Sequence, residues 1–286
     1  MHLVHRASNS TLRPSGLYEP HSTGLSLAPL VTHACGSVHT GLTLNQLEPG
    51  GVILPHVHAY EEGFYMLEGT VDVQLDGAVW RLSRGDFGVS KVGSTHAWTN
   101  SGTVPARWLE MAAPQPKPTG RERDTFFVKG GLAPGPGRPR ESSSEGALLG
   151  HFDVDDIPAG EEGRQRSGGL KGVFLKWLID EAFGARHHRM VLIEYQPGVG
   201  IGLHDHTFEE AYFIVSGSVQ ATLDGERYLA GPGDVLWTGV GCVHAFANVG
   251  DVPVRWLETF APQPPAENVF RFMAEWEETG RRLESI

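Results

Sequence analysis

The chain alternates short apolar runs with polar turn signals over most of its length. Residues 64–67, 71–75 and 79–82 are runs of this kind, and residues 212–215 and 219–223 repeat the pattern later. Runs this short, rich in β-branched and aromatic residues and bounded by glycine and aspartate, predict strands. Asp76-Gly77 and Asp224-Gly225 predict hairpin turns, because both residue types tolerate positive φ there. One segment departs from this. Over residues 266–283, Val269, Phe272, Met273 and Trp276 form an apolar stripe at helical spacing with Gly280 near its end. That predicts a C-terminal helix packed on the rest of the chain or on a partner subunit.

The strand pattern is written twice. A shift of 148 positions aligns residues 24–116 with 172–264 without a gap, and 37 of the 93 pairs are identical; chance would give roughly a twentieth. Arg107-Trp108-Leu109-Glu110 returns as Arg255-Trp256-Leu257-Glu258, and Ala113-Pro114-Gln115-Pro116 as Ala261-Pro262-Gln263-Pro264. A period this long is a duplicated domain rather than a solenoid, since each copy can bury its own core. Residues 130–169 are rich in Gly, Pro, Ser and charge and read as a partly mobile linker. The expected organisation is a first domain over 17–129, the linker over 130–169, a second domain over 170–265 and the helix over 266–286. Regular short strands predict a closed β-sandwich or barrel in each copy.

Composition narrows the function. The net charge of −11 argues against a nucleic-acid partner, which demands a basic surface. No apolar run approaches the roughly 20 residues needed to cross a bilayer. Residues 1–16 are polar, broken by His2, His5, Arg6 and Arg13, and do not read as a signal peptide. The two cysteines, Cys35 and Cys242, form no CxxC pair, so a disulfide scaffold is excluded and a cytoplasmic setting expected.

The chemistry lies in two groups of residues at matching spacings. The first is His56-Val57-His58, then Glu62, then His96; the second is His204-Asp205-His206, Glu210 and His244. Glycines flank both sets, at Gly50, Gly69, Gly85 and Gly93 and at Gly198, Gly217, Gly233 and Gly241. In a strand, residues i and i+2 share a face, so each His-X-His pair points one way, and the glutamate an even number further on suits the same interior. Three imidazoles and one carboxylate suit Fe, Mn, Ni or Zn and leave positions open on an octahedral ion. Structural zinc favours tetrahedral, thiolate-rich sites.

These motifs resemble the two motifs of the cupin superfamily, over both repeats and about two thirds of the chain. The proline usual before the internal glycine of the second motif is Lys91 in one copy and Gly239 in the other, which bears on loop shape and leaves the ligands untouched. The resemblance implies an all-β fold of two tandem jelly-roll barrels. It also implies metal ligation by His56, His58, Glu62, His96, His204, His206, Glu210 and His244.

Other repeated residues carry weaker signals. His39 and His187 could reach a pocket or make an outer hydrogen bond. Arg107 and Arg255 could clamp a carboxylate or pair with Glu110 and Glu258 on an exposed strand, the reading preferred. Glu61 and Glu209 face away from the ligands, towards solvent, and Cys242 reads as a small buried hydrophobe. Trp98 and Phe246 share the inward face of His96 and His244, and further aromatics near both sets predict apolar pockets. The second site is preferred as the active one, because Gly200, Gly202 and Gly239 leave room.

The expected function is that of a metal-dependent bicupin enzyme on a small-molecule substrate, with Fe(II) or Mn(II) preferred and Zn or Ni as alternatives. The leading expectation is a non-haem dioxygenase of an enol, aromatic or diketone substrate, with Glu62 or Glu210 as base. A manganese decarboxylase, like the two-cupin oxalate decarboxylases, or a non-redox hydrolase or isomerase is the alternative. Neither the nearby arginine nor the poised carboxylic acid that a decarboxylase needs is identifiable in sequence. A non-enzymatic metal or small-ligand binding protein is the third reading. Self-association into a homo-oligomer is expected to be compatible with all three.

Overall fold

The computed structural model describes residues 1–75, 77–118, 124–132, 137–139, 148–158, 171–263 and 270–273. Strands dominate among the described residues, and helical structure there is limited to single 3-10 turns such as His33–Cys35 and Val154–Asp156 and to Met273 near the C-terminus. No helix among the described residues is long and apolar enough to cross a membrane.

Each copy curls into a jelly-roll barrel. In the first, the long strand Gly41–His58 pairs with Ser22–Val31, His96–Thr99, Ala106–Ala113 and Thr125–Phe127 within one eleven-stranded sheet. In the second, the counterpart of that strand is divided: Arg189–Tyr195 belongs to a six-stranded sheet and Gly200–His206 to a five-stranded one. The turn from Leu223 to Glu226 is the expected two-residue hairpin, with Asp224 at φ 48° and Gly225 at φ 87°. Asp76, its counterpart, lies outside the described residues.

Strand alternation sets both the barrel interiors and their junction. Along Arg189–Tyr195, Val191, Ile193 and Tyr195 point into the second barrel's core with Tyr212, Phe246 and Trp256. Met190 and Leu192, one position out of phase, pack with Leu109, Met111, Phe87 and Tyr65 of the first half in a continuous cluster. A sheet apolar on both faces therefore joins the barrels face to face.

The halves also exchange segments. His2–His5 pairs with Val235–Thr238 of the second half, and Leu149–His151 pairs with Asp86–Ser90 of the first. The same pairs of strands correspond under the 148-residue shift, with a register three residues apart, so each half is edged by a strand that precedes the other copy. The second lies in the segment expected to be linker, which thus holds ordered structure at residues 148–158.

Glu61 and Glu209 do face away from the histidines, yet not to solvent; both are buried. Glu61 accepts backbone N–H bonds from Arg186, His187 and His188 and a side-chain bond from His188 Nδ1 at 2.7 Å. Glu209 does the same for Val38, His39 and Thr40 and for the Ser37 hydroxyl. The repeated His39 and His187 thus act through their backbone amides, each offering an N–H to a carboxylate of the opposite half. Burial alone would raise Glu61, but the hydrogen bond and charge of His188 and the amides hold it at about 2.

The expected C-terminal helix is corrected where the structure describes it. Phe270–Phe272 is a strand paired with Gly200–His206. Strand pairing puts Phe272 against His204, a contact that overrides the helical spacing of the stripe. Met273, next in the chain, is helical, and the remaining residues of the predicted helix lie outside the described ones.

Candidate metal centres and the second-half cavity

In the first half, His56 and His58 end the strand Gly41–His58, Glu62 starts Glu61–Glu68 and His96 starts His96–Thr99. Register sets His56 opposite His96. The three histidines each place a ring nitrogen within 4.8 Å of the others. Glu62 Oε2 lies 2.9 Å from His58 Nε2 and 3.2 Å from His96 Nε2. Each Nδ1 is held from outside: His56 by the Leu54 carbonyl, His58 by the Thr125 hydroxyl, His96 by the Ser94 carbonyl and Ser90 hydroxyl. That fixes the rings with Nε2 facing the centre, the usual supporting arrangement around a ligating histidine.

The donor chemistry fits a metal. Burial, then the neighbouring imidazoles, push His56 down to about 2, and burial lowers His58 as well. Burial would lift Glu62, but the imidazoles of His96 and His58 hold it below the ordinary carboxylate range. Neutral imidazole beside carboxylate is the ligating protonation state. The buried Glu62 Oε1 finds no hydrogen-bond partner among the described residues, a need that an ion would meet.

The second half repeats the arrangement with one substitution. His204 and His206 end Gly200–His206, Glu210 lies on Glu209–Ser216 and His244 starts His244–Ala247. Their Nδ1 atoms bond the carbonyls of Gly202, Phe208 and Cys242. Glu210 Oε2 is 2.7 Å from His206 Nε2 and 3.5 Å from His244 Nε2. Burial, then His244, push His204 down to about 4. Burial would lower His206 too, but the charge of Glu210 raises it. Where the first half has Phe64, the second has Tyr212, whose hydroxyl donates to Glu210 and lies 3.2 Å from His244 Nε2.

The surroundings differ more. A cavity of about 370 Å³ opens on the second set and is lined by His204, Glu210 and His244. Its walls are chiefly Val191, Ile193, Phe208, Phe246, Trp256 and Phe260, with Arg189 and Glu258 among them. The first half's cavity, about 420 Å³, is lined by Tyr18, Asn45, Tyr60 and Glu110 but by none of its four candidate ligands. Tyr18 sits edge-on to His56 and Tyr60 stacks on His58, as Phe208 stacks on His206 in the second half. Gly200, Gly202 and Gly239, the reason for preferring the second site, do not line its cavity.

Glu110 and Glu258 are not surface partners of Arg107 and Arg255. Arg107 donates to Gln46 and Arg255 to Glu194, on the outward face. Glu110 accepts from the Asn45 amide and Glu258 from the Trp256 indole N–H at 3.0 Å. Burial first, then the charge of Glu210 and a hydrogen bond with it, push the Glu258 carboxyl well above the ordinary range; Glu110 is raised likewise by burial and Glu62. Both are inward carboxylic acids. Cys242 is buried as expected, but His2 and Asp224 lie beside it, all three within 4.8 Å in their donor atoms. Burial, then Asp224, push its thiol up to about 12.

Two jelly-roll barrels in one chain, each converging three histidines and a glutamate, define a duplicated barrel with two candidate metal centres. Comparison with known proteins agrees. The Cupin domain family matches residues 44–112 and 191–260, the barrel of each half. The polyketide synthase CurC of Streptomyces cyaneus is 31% identical over 120 residues, 41% of this chain and 75% of that protein. The tetracenomycin polyketide synthase protein TcmJ of Streptomyces glaucescens is 28% identical over 154 residues, 53% of this chain and 85% of its own. Among solved structures, the oxalate decarboxylase of Lactobacillus farciminis in complex with formate superposes with a TM-score of 0.67 at 17% identity, covering 97% of this chain and 90% of that one. A deletion mutant of Bacillus subtilis oxalate decarboxylase gives 0.64 at 18%, covering 98% and 83%. At such identities the likeness is one of fold. The chain belongs to the cupin superfamily and is a bicupin.

Proposed function

We propose that the second-half cavity is the active site of a metal-dependent enzyme acting on a small, largely apolar organic molecule by non-oxidative proton-transfer chemistry, such as decarboxylation or isomerisation. One observation carries this reading: two of the three histidines, His204 and His244, and Glu210 share a single apolar cavity with Glu258 and Arg189. Few polar groups converging in an apolar cleft are the usual form of a small-molecule site. His204, His206, Glu210 and His244 would hold Mn(II) or Fe(II), which when bound acts as a Lewis acid towards an oxygen of the substrate. Glu258 supplies the proton. Burial, the leading cause, raises its carboxyl well above the ordinary range, and the Trp256 indole orients it. Tyr212 holds Glu210 in place through its hydroxyl. These groups supply the carboxylic acid and the arginine that sequence alone does not reveal. The first set, whose four candidate ligands do not line the first half's cavity, would hold its ion structurally.

The solved relatives include an oxalate decarboxylase with Mn(II) centres, which supports manganese and a lyase. The polyketide synthase names of the two curated relatives support a carbon-chain or aromatic substrate. The aromatic wall also favours a second reading, a dioxygenase of an enol or aromatic compound. Paired oxygen-electrode and carbon dioxide measurements on a panel of organic acids and enols separate them. Carbon dioxide release or isomerisation without stoichiometric O2 uptake supports the proposal, and O2 consumed one for one with product overturns it.

A further inference from the structure

The second cavity is apolar except at two points, the metal cluster with Glu258 and, apart from it, Arg189. Arg189 is the sole arginine or lysine among the described residues lining that cavity. Its side chain is 19% exposed. It packs over the Trp177 ring with the guanidinium 5.7 Å from the centroid, and its Nη2 lies 3.7 Å from the exposed Glu181. Its buried Nε has no hydrogen-bond partner among the described residues. A planar donor fork left part-bonded in an apolar wall is costly unless something answers it.

The register sets where the fork stands. Phe260 pairs with Glu210 on one side and with Arg189 on the other, so the arginine and the metal-facing glutamate lie in one row, two strand spacings apart. That is roughly 10 Å between backbones. The first half has nothing comparable. Its equivalent position is Gly41, where a Cβ would already strike Gln115 Oε1 at 2.4 Å.

From this we infer that the substrate is a monoanionic, otherwise apolar acid, typically an aromatic carboxylate, whose carboxylate docks on Arg189 while its far end reaches the metal cluster; of the reactions proposed above, this selects isomerisation at the far end over loss of the docked carboxylate. Arg189 is a binding and specificity residue. The inference rests on the second cavity being the active site. It also separates this chain from a two-carbon dianion such as oxalate. A cavity of about 370 Å³ lies in the range of roughly 300–1,000 Å³ that suits larger ligands. A two-carbon dianion is too short to span from Arg189 to the metal cluster, and would leave the aromatic surface uncovered. The carboxylate, in contrast, matches the guanidinium fork, and the ring covers Trp177, Phe208 and Phe260.

The test is binding, so that it does not depend on turnover. Affinities of the full chain for trans-cinnamate, its uncharged amide and oxalate are measured by titration calorimetry, with the native metal and after chelation. Cinnamate is expected to bind roughly tenfold to a hundredfold tighter than the amide in both states, and tighter than oxalate. Arg189→Gln should abolish the preference for the carboxylate while leaving the amide's affinity unchanged, which shows at once that the pocket is folded. Arg189→Lys, a milder change, should keep part of it. Equal binding of acid and amide by the native chain, tighter binding of oxalate, or a preference that survives both substitutions would overturn the inference. A carboxylate preference that depends on Arg189 stands even if Glu258→Gln retains full turnover, an outcome that would count against the proposed chemistry alone.

Discussion

At the residue scale, the assignment of work to Glu258 rests on what surrounds its carboxyl. An acid held protonated by burial and a carboxylate neighbour can deliver a proton at neutral pH, as an ordinary glutamate cannot. Glu258→Gln should therefore lower turnover by roughly 10²–10⁴ with the metal content unchanged, as steady-state assays and elemental analysis of one preparation would show. Unaltered turnover would remove Glu258 from the chemistry. Reading Glu258 as a surface partner of Arg255 missed this acid, although strand parity carried a signal for it. In a strand, residues three apart face opposite ways, so Arg255 and Glu258 cannot pair across the surface, and Glu258 shares the face of the buried Trp256. Tyr212, two residues after Glu210, was legible by the same parity. Arg189 was not, since only the pairing of its strand with Val254–Ala261 brings it to the cavity. Glu61 and Glu209 make a second residue-scale case: their direction followed from alternation, but the opposite half's amides that meet them did not. Glu61→Gln removes a charge that answers three backbone N–H groups and His188. It should cost about 3 kcal/mol in denaturant unfolding, and a loss under 0.5 kcal/mol would contradict that role.

At the scale of elements, the repeat and both motifs were readable because they are local: a His-X-His pair on one strand and a glutamate four residues on need only strand parity. The exchanged strands were not, since nothing in the sequence around Leu3 or Leu149 says which half they will edge. Helical periodicity misled at Phe272 because an apolar residue serves equally on a strand laid across His204. The exchange has an energetic consequence. Leu3 pairs with Trp237 and packs into the cluster shared by the two halves, so Leu3→Ala should destabilise by about 2 kcal/mol and redden tryptophan emission. If the arm were merely draped on the surface, unfolding would be unchanged.

At the scale of the molecule, one duplicated barrel gives its two sets unlike surroundings: the second opens on an apolar cavity, while the first set's candidate ligands do not line the cavity of their own half. Both share a pH dependence. His56 at about 2 and His204 at about 4 lie below the roughly 6.5 of an unfolded histidine. The unfolded chain thus binds more protons below pH 6.5, and stability present above that pH is lost as pH falls. The metal-free protein should lose up to about 3 kcal/mol per pH unit between pH 6 and 4. Glu61 adds to the loss from about pH 4.5 towards 2. Thermal melts of the chelated protein across that range would check this, and a flat profile from pH 7 to 4 would refute it. The central claim, two metal centres of which the second is the reactive one, is tested most directly by elemental analysis of the native chain beside His96→Ala and His244→Ala. Close to two metal ions per native chain and one in each variant are expected. Absence of bound metal after reconstitution with Mn(II) or Fe(II), or a native count that neither substitution lowers, would contradict it.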